Sequence, residues 1–406
     1  MGAGSALEEK VYAEVKRLCY AGLDETALLR EVTGRLRRVV PFEAYCANEM
    51  DPSSGLIAGT VCEGLGGASA ARLFLEHVYF EDEVTEYNSM VRSRRPVALL
   101  SEATGGKLER ALRHREVCGP AGLDYELRSV FTSNRELWAA MDLYRERGAP
   151  DFSANEVAFL RRVAPHLGTG LRAAVVRSQA SVTQKGEGAP GVLVLDRRAR
   201  VLHYTAAAER WLHELEEDSD SGRWDGRGPS AWREGKGLPT AVWTMMGSLR
   251  RALKPQTDQD LNRAPHLCVR ARSGFWLTLH GSLTESAPDR GSEMVIVIEP
   301  SGPREVTWLR AAAYGLTPRE RAVVDLVVRG ASTRQISQAL YISEYTVQDH
   351  LSNIFDKVGV RDRRALVKAS TPMPFFPRFY RASPARVRQQ SQGQHRQDKE
   401  APTPRT

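Results

Sequence analysis

The sequence predicts a multidomain α+β chain in which two α/β modules are followed by an all-α domain of four short helices. Three observations predict it. Residues 316–369 break at capping signals into four helical segments. Two stretches upstream each carry several short strand-like runs flanked by amphipathic helical runs. Finally, 406 residues are enough for about three domains, and a 42% hydrophobic content is enough to give each a core.

Leu7, Val11, Val15 and Leu18, then Leu28, Val32, Leu36 and Val39, recur at helical spacing, with Asp24 as an N-cap between the runs. Two amphipathic helices therefore open the chain. Strand-like runs follow at 42–49 and 56–62 across the turn signal Asp51-Pro-Ser-Ser-Gly, then at 97–100, 127–132 and 137–144, the last pair joined across Ser133-Asn134. Such runs predict a mostly antiparallel sheet. Ser153 and Glu156 form a capping box for a closing helix of about two dozen residues, which Pro165 should kink.

A Gln- and Gly-rich linker near 180–190 leads to the second module at 191–300. Runs 191–196 and 200–204 read as a hairpin, 206–215 as a helix, and 267–272, 276–283 and 294–299 as late strands. The Asp-, Gly- and Arg-rich stretch 216–237 reads as a mobile loop. Residues 301–315 form a linker in which 306–313 can make a connecting helix. By order of elements, the first module, 1–180, resembles a GAF-like sensory domain and the second a PAS-like domain. That resemblance implies a small molecule or a partner held against each sheet. Phe42, Tyr45, Cys46 and Met50 in the first, and Trp211, Trp243 and Trp276 in the second, are candidate pocket residues, although aromatics at such positions more often fill cores.

The C-terminal segment carries the strongest local signals. Thr317, Pro318 and Glu320 supply a hydroxyl N-cap, a proline where its missing N–H costs nothing, and a carboxylate that can bond back. Gly330 closes that helix. Ser332 and Gln335 repeat the capping box for a second helix ending near Tyr341. Ser343 caps a third that runs to about Val358, with Gly359 as its left-handed stop, and Asp362 caps a fourth. At about 100° per residue, Val347, Leu351, Ile354, Phe355 and Val358 gather on one side of the third helix, and Tyr345, Gln348, Asp349 and Ser352 on the other. One face packs and the other is free to read. Val323, Leu326 and Val327, with Ile336, Ala339 and Leu340, supply apolar partners, and the short turn Ile342–Ser343 fits a helix-turn-helix.

This segment, 316–370, resembles the LuxR-type DNA-binding domain. The family's Leu-Thr-Pro-Arg-Glu opening stands at Leu316 to Glu320, its Ile-Ser-Glu-x-Thr-Val-x-x-His core at Ile342 to His350, and its Lys-x-Gly-Val close at Lys357 to Val360. The resemblance implies a recognition helix at about 344–358 in the major groove of duplex DNA. The family usually places a basic residue at the position of Gln348, and often another at Ser352; this sequence departs at both. Gln348 can bond adenine N6 and N7, and Asp349 can accept from cytosine N4, at the cost of repulsion from phosphates. Ser343, Thr346, Arg334 and Lys357 suit phosphate contacts, together with the free N–H groups at the helix N-terminus. His350, near the boundary of the two faces, suits packing or phosphate contact, and Tyr345 lies on the reading face.

The net charge of +7 agrees with a nucleic-acid partner once it is located. Residues 316–369 hold nine Arg or Lys against six Asp or Glu, and the Pro-, Gln- and Arg-rich tail 371–406 holds seven against two. The tail's composition predicts disorder, with Phe375, Phe376, Phe379 and Tyr380 able to dock on a folded surface. No apolar run of about 18 residues or signal-peptide pattern is present, so a cytoplasmic location without a membrane is expected. The odd and scattered Cys19, Cys46, Cys62, Cys118 and Cys268 read as reduced thiols.

Enzymatic and phosphoryl-accepting readings find no support. Gly105-Gly-Lys107 lacks the rest of a phosphate-binding loop, and the chain opens with two helices where a phosphate-receiving domain would open with a strand ending in paired acids. His114 and Cys118, at i and i+4, have metal-ligand spacing but no further ligands. No cofactor or metal is expected. The sequence therefore reads as a bacterial transcription regulator, not an enzyme, binding double-stranded DNA as a homodimer because one such helix reads only a few base pairs. Leu366 and Ala369 of the fourth helix, together with the helices of the first domain, are candidate dimer contacts, and a small-molecule effector upstream and RNA polymerase are candidate partners. The alternative is a protein-binding signalling adaptor whose helical C-terminus does not bind DNA.

Overall fold

The computed structural model describes residues 3–65, 73–75, 84–181, 188–215, 238–252, 265–284, 292–302 and 314–370. Helices α1 (Ala3–Cys19) and α2 (Glu25–Leu36) are followed by strands β1 (Ala44–Met50) and β2 (Ile57–Glu63), helix α3 (Tyr87–Arg92), strand β3 (Val97–Leu99) and helix α4 (Leu100–Thr104). Strands β4 (Leu123–Ser133) and β5 (Glu136–Glu146) then lead into α5 (Ala154–Ser181). The five strands form one antiparallel sheet in the order β2-β1-β5-β4-β3.

Alternation along the strands decides what each face holds. Leu127 and Phe131 of β4, with Met141 and Leu143 of β5, point toward α1, α2 and α5 and share a core with Val15, Val32, Phe159 and Leu167. The intervening residues build a buried polar layer on the opposite face. There Arg128 Nε donates to Asp142 Oδ1 at 2.8 Å, Tyr87 Oη to Asp142 Oδ2 at 2.5 Å, and Arg113 Nε to Glu126 Oε2 at 2.6 Å. Both faces are thus covered, which is why β4 and β5 are buried along most of their length. Asn134 and Arg135, both at positive φ (54° and 68°), turn β4 into β5. That is the left-handed pair a tight two-residue hairpin requires. Helix α5 runs through Pro165 as one element, with the expected Ser153–Glu156 cap in place.

One sequence expectation is corrected here. Cys46 and Cys62 face each other across β1 and β2 and are joined as a disulfide, their Cα atoms 4.2 Å apart. Directly opposed residues of an antiparallel pair come this close where the backbone bonds are absent, so the register brings the two sulfurs together. Cys19, Cys118 and Cys268 are buried free thiols.

The second sheet has the order β7-β6-β10-β9-β8 and is also antiparallel. Its strands are β6 (Gly191–Leu195), β7 (Val201–Tyr204), β8 (His266–Arg270), β9 (Trp276–Leu283) and β10 (Met294–Pro300), with α6 (Ala206–Leu215) after the hairpin. Helix α7 (Thr240–Ala252), for which the sequence reading had no element, packs on β9 and β10 and also on β2 of the first sheet. Trp243, Met245 and Met246 of α7 join Met50, Ile57 and Leu137 of the first sheet in one apolar cluster. The two sheets therefore share a core. Gly281 of β9 makes the close approach feasible, since a Cβ there would lie 2.6 Å from Met245 Sδ. The loop expected at 216–237, the connecting helix at 306–313 and the tail 371–406 lie outside the described residues.

The C-terminal helices are α8 (Pro318–Val328), α9 (Thr333–Leu340), α10 (Glu344–Val358) and α11 (Arg363–Ser370). Both expected capping boxes are present, and Ala365 N donates to Asp362 Oδ1 at 2.8 Å at the start of α11. Val323, Val327, Ile336, Val347, Leu351 and Ile354 close the core. Leu366, offered above as a dimer contact, is fully buried in this core and so has no surface to offer a second copy. The side chain of Ala369 lies outside the described set.

Candidate nucleic-acid interface

The turn between α9 and α10 is set by its backbone. Tyr341 ends α9 in the left-handed region at φ 54°, Ile342 N donates to Ser337 O at 3.1 Å, and Ser337 Oγ donates to Ile342 O at 2.5 Å. Ser343 Oγ then accepts from Thr346 N at 3.0 Å and caps α10. These bonds fix the angle at which α10 leaves α9, and Val347, Leu351 and Ile354 pin one side of it to α8 and α9.

The opposite side faces solvent. Tyr345 is 77% exposed, and Gln348, Asp349 and Ser352 are exposed beside it. Ser343 is exposed at the N-terminus of α10, Thr346 and His350 are half-buried at the edge of the reading face, and Arg334 is exposed on α9. Gln348 Nε2 reaches Thr333 Oγ1 at 3.4 Å, so its amide is steadied from the N-terminus of α9. The expected residues of α9 and α10 thus frame one polar ridge, with the helix N-terminus at its end.

Lys357 is placed differently. Its Nζ lies 2.8 and 2.7 Å from the two carboxylate oxygens of Glu320, the third residue of the α8 capping box. Glu320 is only 4% exposed and also accepts from Thr317 N at 2.7 Å. Burial alone would raise the Glu320 pKa, but the Lys357 and Thr317 donors outweigh it and hold the carboxyl below its ordinary value. Lys357 therefore ties α10 to α8, whereas the sequence reading set it on a phosphate.

Two features of this region escaped the sequence reading. Tyr341 is 95% exposed beside the start of α10; its place after the last turn of α9 was visible, but its left-handed conformation, which turns the ring outward, was not. Arg321 of α8 donates to Glu136 at 2.5 Å, with side chains 13% and 20% exposed, and docks the helical domain on the β4–β5 turn. No local pattern links residues so far apart in sequence.

Upstream, Phe42, Tyr45, Trp211 and Trp243 of the expected pocket residues are buried in cores, and Cys46 is in the disulfide. Met50 and Trp276 line a cleft of about 330 Å³ between the two sheets. His114 and Cys118 share one π-helical turn, with Cys118 buried and His114 Nε2 3.6 Å from Asp124. Among the described residues no group of three or more His, Cys, Asp or Glu is placed to hold a metal, and no helix is long and apolar enough to cross a membrane.

Residues 314–370 match the family of bacterial regulatory proteins described as luxR family. Spore germination protein GerE of Bacillus subtilis is 46% identical over 52 residues, which cover 13% of this chain and 70% of GerE. The chain belongs to the LuxR family. Transcriptional regulatory protein DegU of Brevibacillus brevis is 46% identical to this LuxR-family chain over 69 residues, 17% of this chain and 29% of DegU. The CsgBAC operon transcriptional regulatory protein of Escherichia coli is 42% identical over 52 residues, 13% of this chain and 24% of that protein. The match thus spans under a third of DegU and of the CsgBAC regulator. Among solved structures, a phage VqmA–DPO complex covers 49% of this chain and 87% of its own at 15% identity and TM-score 0.22. The E. coli DhaR(N)–DhaL complex covers 74% and 91% at 10% identity and TM-score 0.22. In this LuxR-family chain the family likeness resides in the helix-turn-helix, and the upstream architecture stands on its own strand order and packing.

Proposed function

We propose that this LuxR-family chain is a transcription regulator that binds duplex DNA as a homodimer in the cytoplasm, with α10 in the major groove and the two sheet domains upstream setting its availability. The observation that carries the reading is the division of α10 into a buried face at Val347, Leu351 and Ile354 and an exposed polar face at Tyr345, Gln348, Asp349 and Ser352. On this reading Gln348 bonds an adenine edge and Asp349 accepts from a cytosine amino group. Ser343, Thr346, Arg334 and the free N–H groups opening α10 hold phosphates, with His350 at the boundary. Two copies reading symmetric half-sites supply the specificity that one helix lacks. The upstream domains are read as GAF-like and PAS-like sensors of a small-molecule effector, joined to the helical domain through Arg321 and Glu136, and RNA polymerase is the partner through which a bound dimer would act on transcription.

The test is affinity of the full chain for a cognate duplex and for duplexes altered one base pair at a time. Gln348→Ala should cost about 1 to 3 kcal/mol on the cognate site and flatten discrimination at one base pair per half-site. An equal loss on every sequence would remove Gln348 from the readers.

A further inference from the structure

Among the described residues, three helix ends of the C-terminal domain carry the chain through the left-handed region: Gly330 at φ 81° after α8, Tyr341 at φ 54° after α9 and Gly359 at φ 74° after α10. That conformation is nearly free for glycine and costly for a residue with a Cβ. At Gly330 and Gly359 a Cβ would meet nothing within 4 Å, so glycine stands there for its backbone alone. The same reason would put glycine at 341, where the chain has a tyrosine.

Packing does not recover that cost. Tyr341 is 95% exposed, more than any other described large hydrophobic residue, so its ring removes almost no apolar surface from water. Its backbone is nevertheless held, with Tyr341 N donating to Gln338 O at 3.4 Å and Ile342 N to Ser337 O at 3.1 Å. A ring on a fixed backbone, kept at a cost and unburied, points to a contact outside the chain.

The neighbours of the ring identify the occupant. Arg319, exposed on α8, donates to Leu340 O, the carbonyl just before Tyr341, and so sets a guanidinium at this turn. Two residues on, Ser343 opens α10, whose first N–H groups carry the positive end of the helix dipole. Tyr345, 77% exposed, then begins the reading face. Glu344 is the acid of that first turn; it opposes an anion, and Arg319 offsets it. The turn therefore presents a ring with a hydroxyl donor between a cation and a helix N-terminus, continuous with the ridge of Gln348 and Asp349. A sugar-phosphate strand matches this chemistry, since its phosphates take O–H and N–H donors.

We infer that Tyr341 contacts the DNA strand bordering the groove that α10 enters, its ring against a deoxyribose and its hydroxyl donating to the adjoining phosphate. The contact reads no base. It fixes the position of α10 along the duplex, so that Gln348 meets the same base pair each time. Tyrosine suits the role because it offers a large amphipathic surface with few side-chain torsions to freeze. This contact rests on the reading of α10 as the recognition helix.

The experiment uses the full chain and the duplex that the wild type enriches from a random library, and compares Tyr341→Gly and Tyr341→Phe with the wild type. Tyr341→Gly should bind that duplex and a scrambled one more weakly by the same factor, about tenfold. Tyr341→Phe, which keeps the ring, should lose about threefold. Ethylation of one phosphate per half-site should weaken the wild type but not the phenylalanine variant. Amide exchange in α9 should be as slow in Tyr341→Gly as in the wild type, or slower, because glycine relieves the left-handed backbone. A library from which the wild type enriches nothing would overturn both this contact and the recognition-helix reading. With a site enriched, three results would each overturn the contact alone: undiminished affinity in Tyr341→Gly, an affinity loss accompanied by faster exchange in α9, or identical ethylation patterns in the wild type and Tyr341→Phe.

Discussion

Replacing Lys357 with methionine separates a brace within the helical domain from a phosphate contact. Methionine keeps most of the apolar stem and removes the ammonium that sits 2.7 and 2.8 Å from Glu320. Removing one member of a fully buried ion pair costs about 3 to 5 kcal/mol, whereas an exposed pair contributes about 0 to 1 kcal/mol. Here Glu320 is 4% exposed and the Lys357 side chain 37%, so the loss should fall between these limits, at about 1 to 2 kcal/mol. Amide exchange across 317–328 of the full chain should accordingly speed up by about 5- to 30-fold at pH 7. The sign with pH follows from the lowered Glu320 pKa. Its stabilising effect is present above the unfolded carboxyl value and is lost as pH falls through the folded one, so the ratio of variant to wild-type exchange should shrink toward unity in acid. The salt dependence of DNA affinity should keep its slope. A slope smaller by about 0.9, with exchange in α8 unchanged, would show that Lys357 contacts a phosphate and would refute the brace.

Ser343→Ala removes the cap of α10, whose Oγ accepts from Thr346 N at 3.0 Å; it should cost about 1 kcal/mol, read as faster exchange confined to the first turn of α10. An unchanged first turn would mean that the cap contributes nothing. Because the Glu25 pKa is raised to about 7, its contribution to stability is full below pH 4.5 and is lost as pH rises through 7. Urea unfolding of the chain should show about 2 kcal/mol lost between pH 5.5 and 8 relative to Glu25→Gln, and parallel pH profiles for the two proteins would contradict the burial of this carboxyl. Alkylation of denatured, unreduced protein should label three of the five cysteines, because Cys46 and Cys62 are bonded; labelling of all five would show reduced thiols.

Legibility in the sequence followed the range of the interaction. The four C-terminal helices were readable because each is delimited by residues one to three positions apart: Thr317 with Glu320, Ser332 with Gln335, Ser343 with Thr346, and Gly359 at φ 74°. The strands were readable from alternation and turn residues, and the ends of β9 and α6 fell where expected. Helix α7 was not. It is packed between the two sheets and buried on nearly every side, Thr240 and Thr244 included, a position set by contacts with both sheets that no local pattern records. The disulfide had a signal that went unused. A hairpin centred on Ser54 sets Cys46 opposite Cys62, so the turn and the two strands already implied the pair. Lys357 on Glu320, Arg321 on Glu136 and Arg270 on Glu25 join residues 37 to 245 positions apart. Such contacts are set by packing alone.

DNA recognition by α10 is tested most directly by selecting binding sites from a random duplex library with the full chain, then repeating the selection with Gln348→Ala. The predicted result is a two-half-site consensus for the wild type and the same spacing with one base position per half-site relaxed in the variant. Enrichment of no sequence by the wild type, with affinity that merely tracks salt, would contradict it and would make the helical domain a protein-binding module.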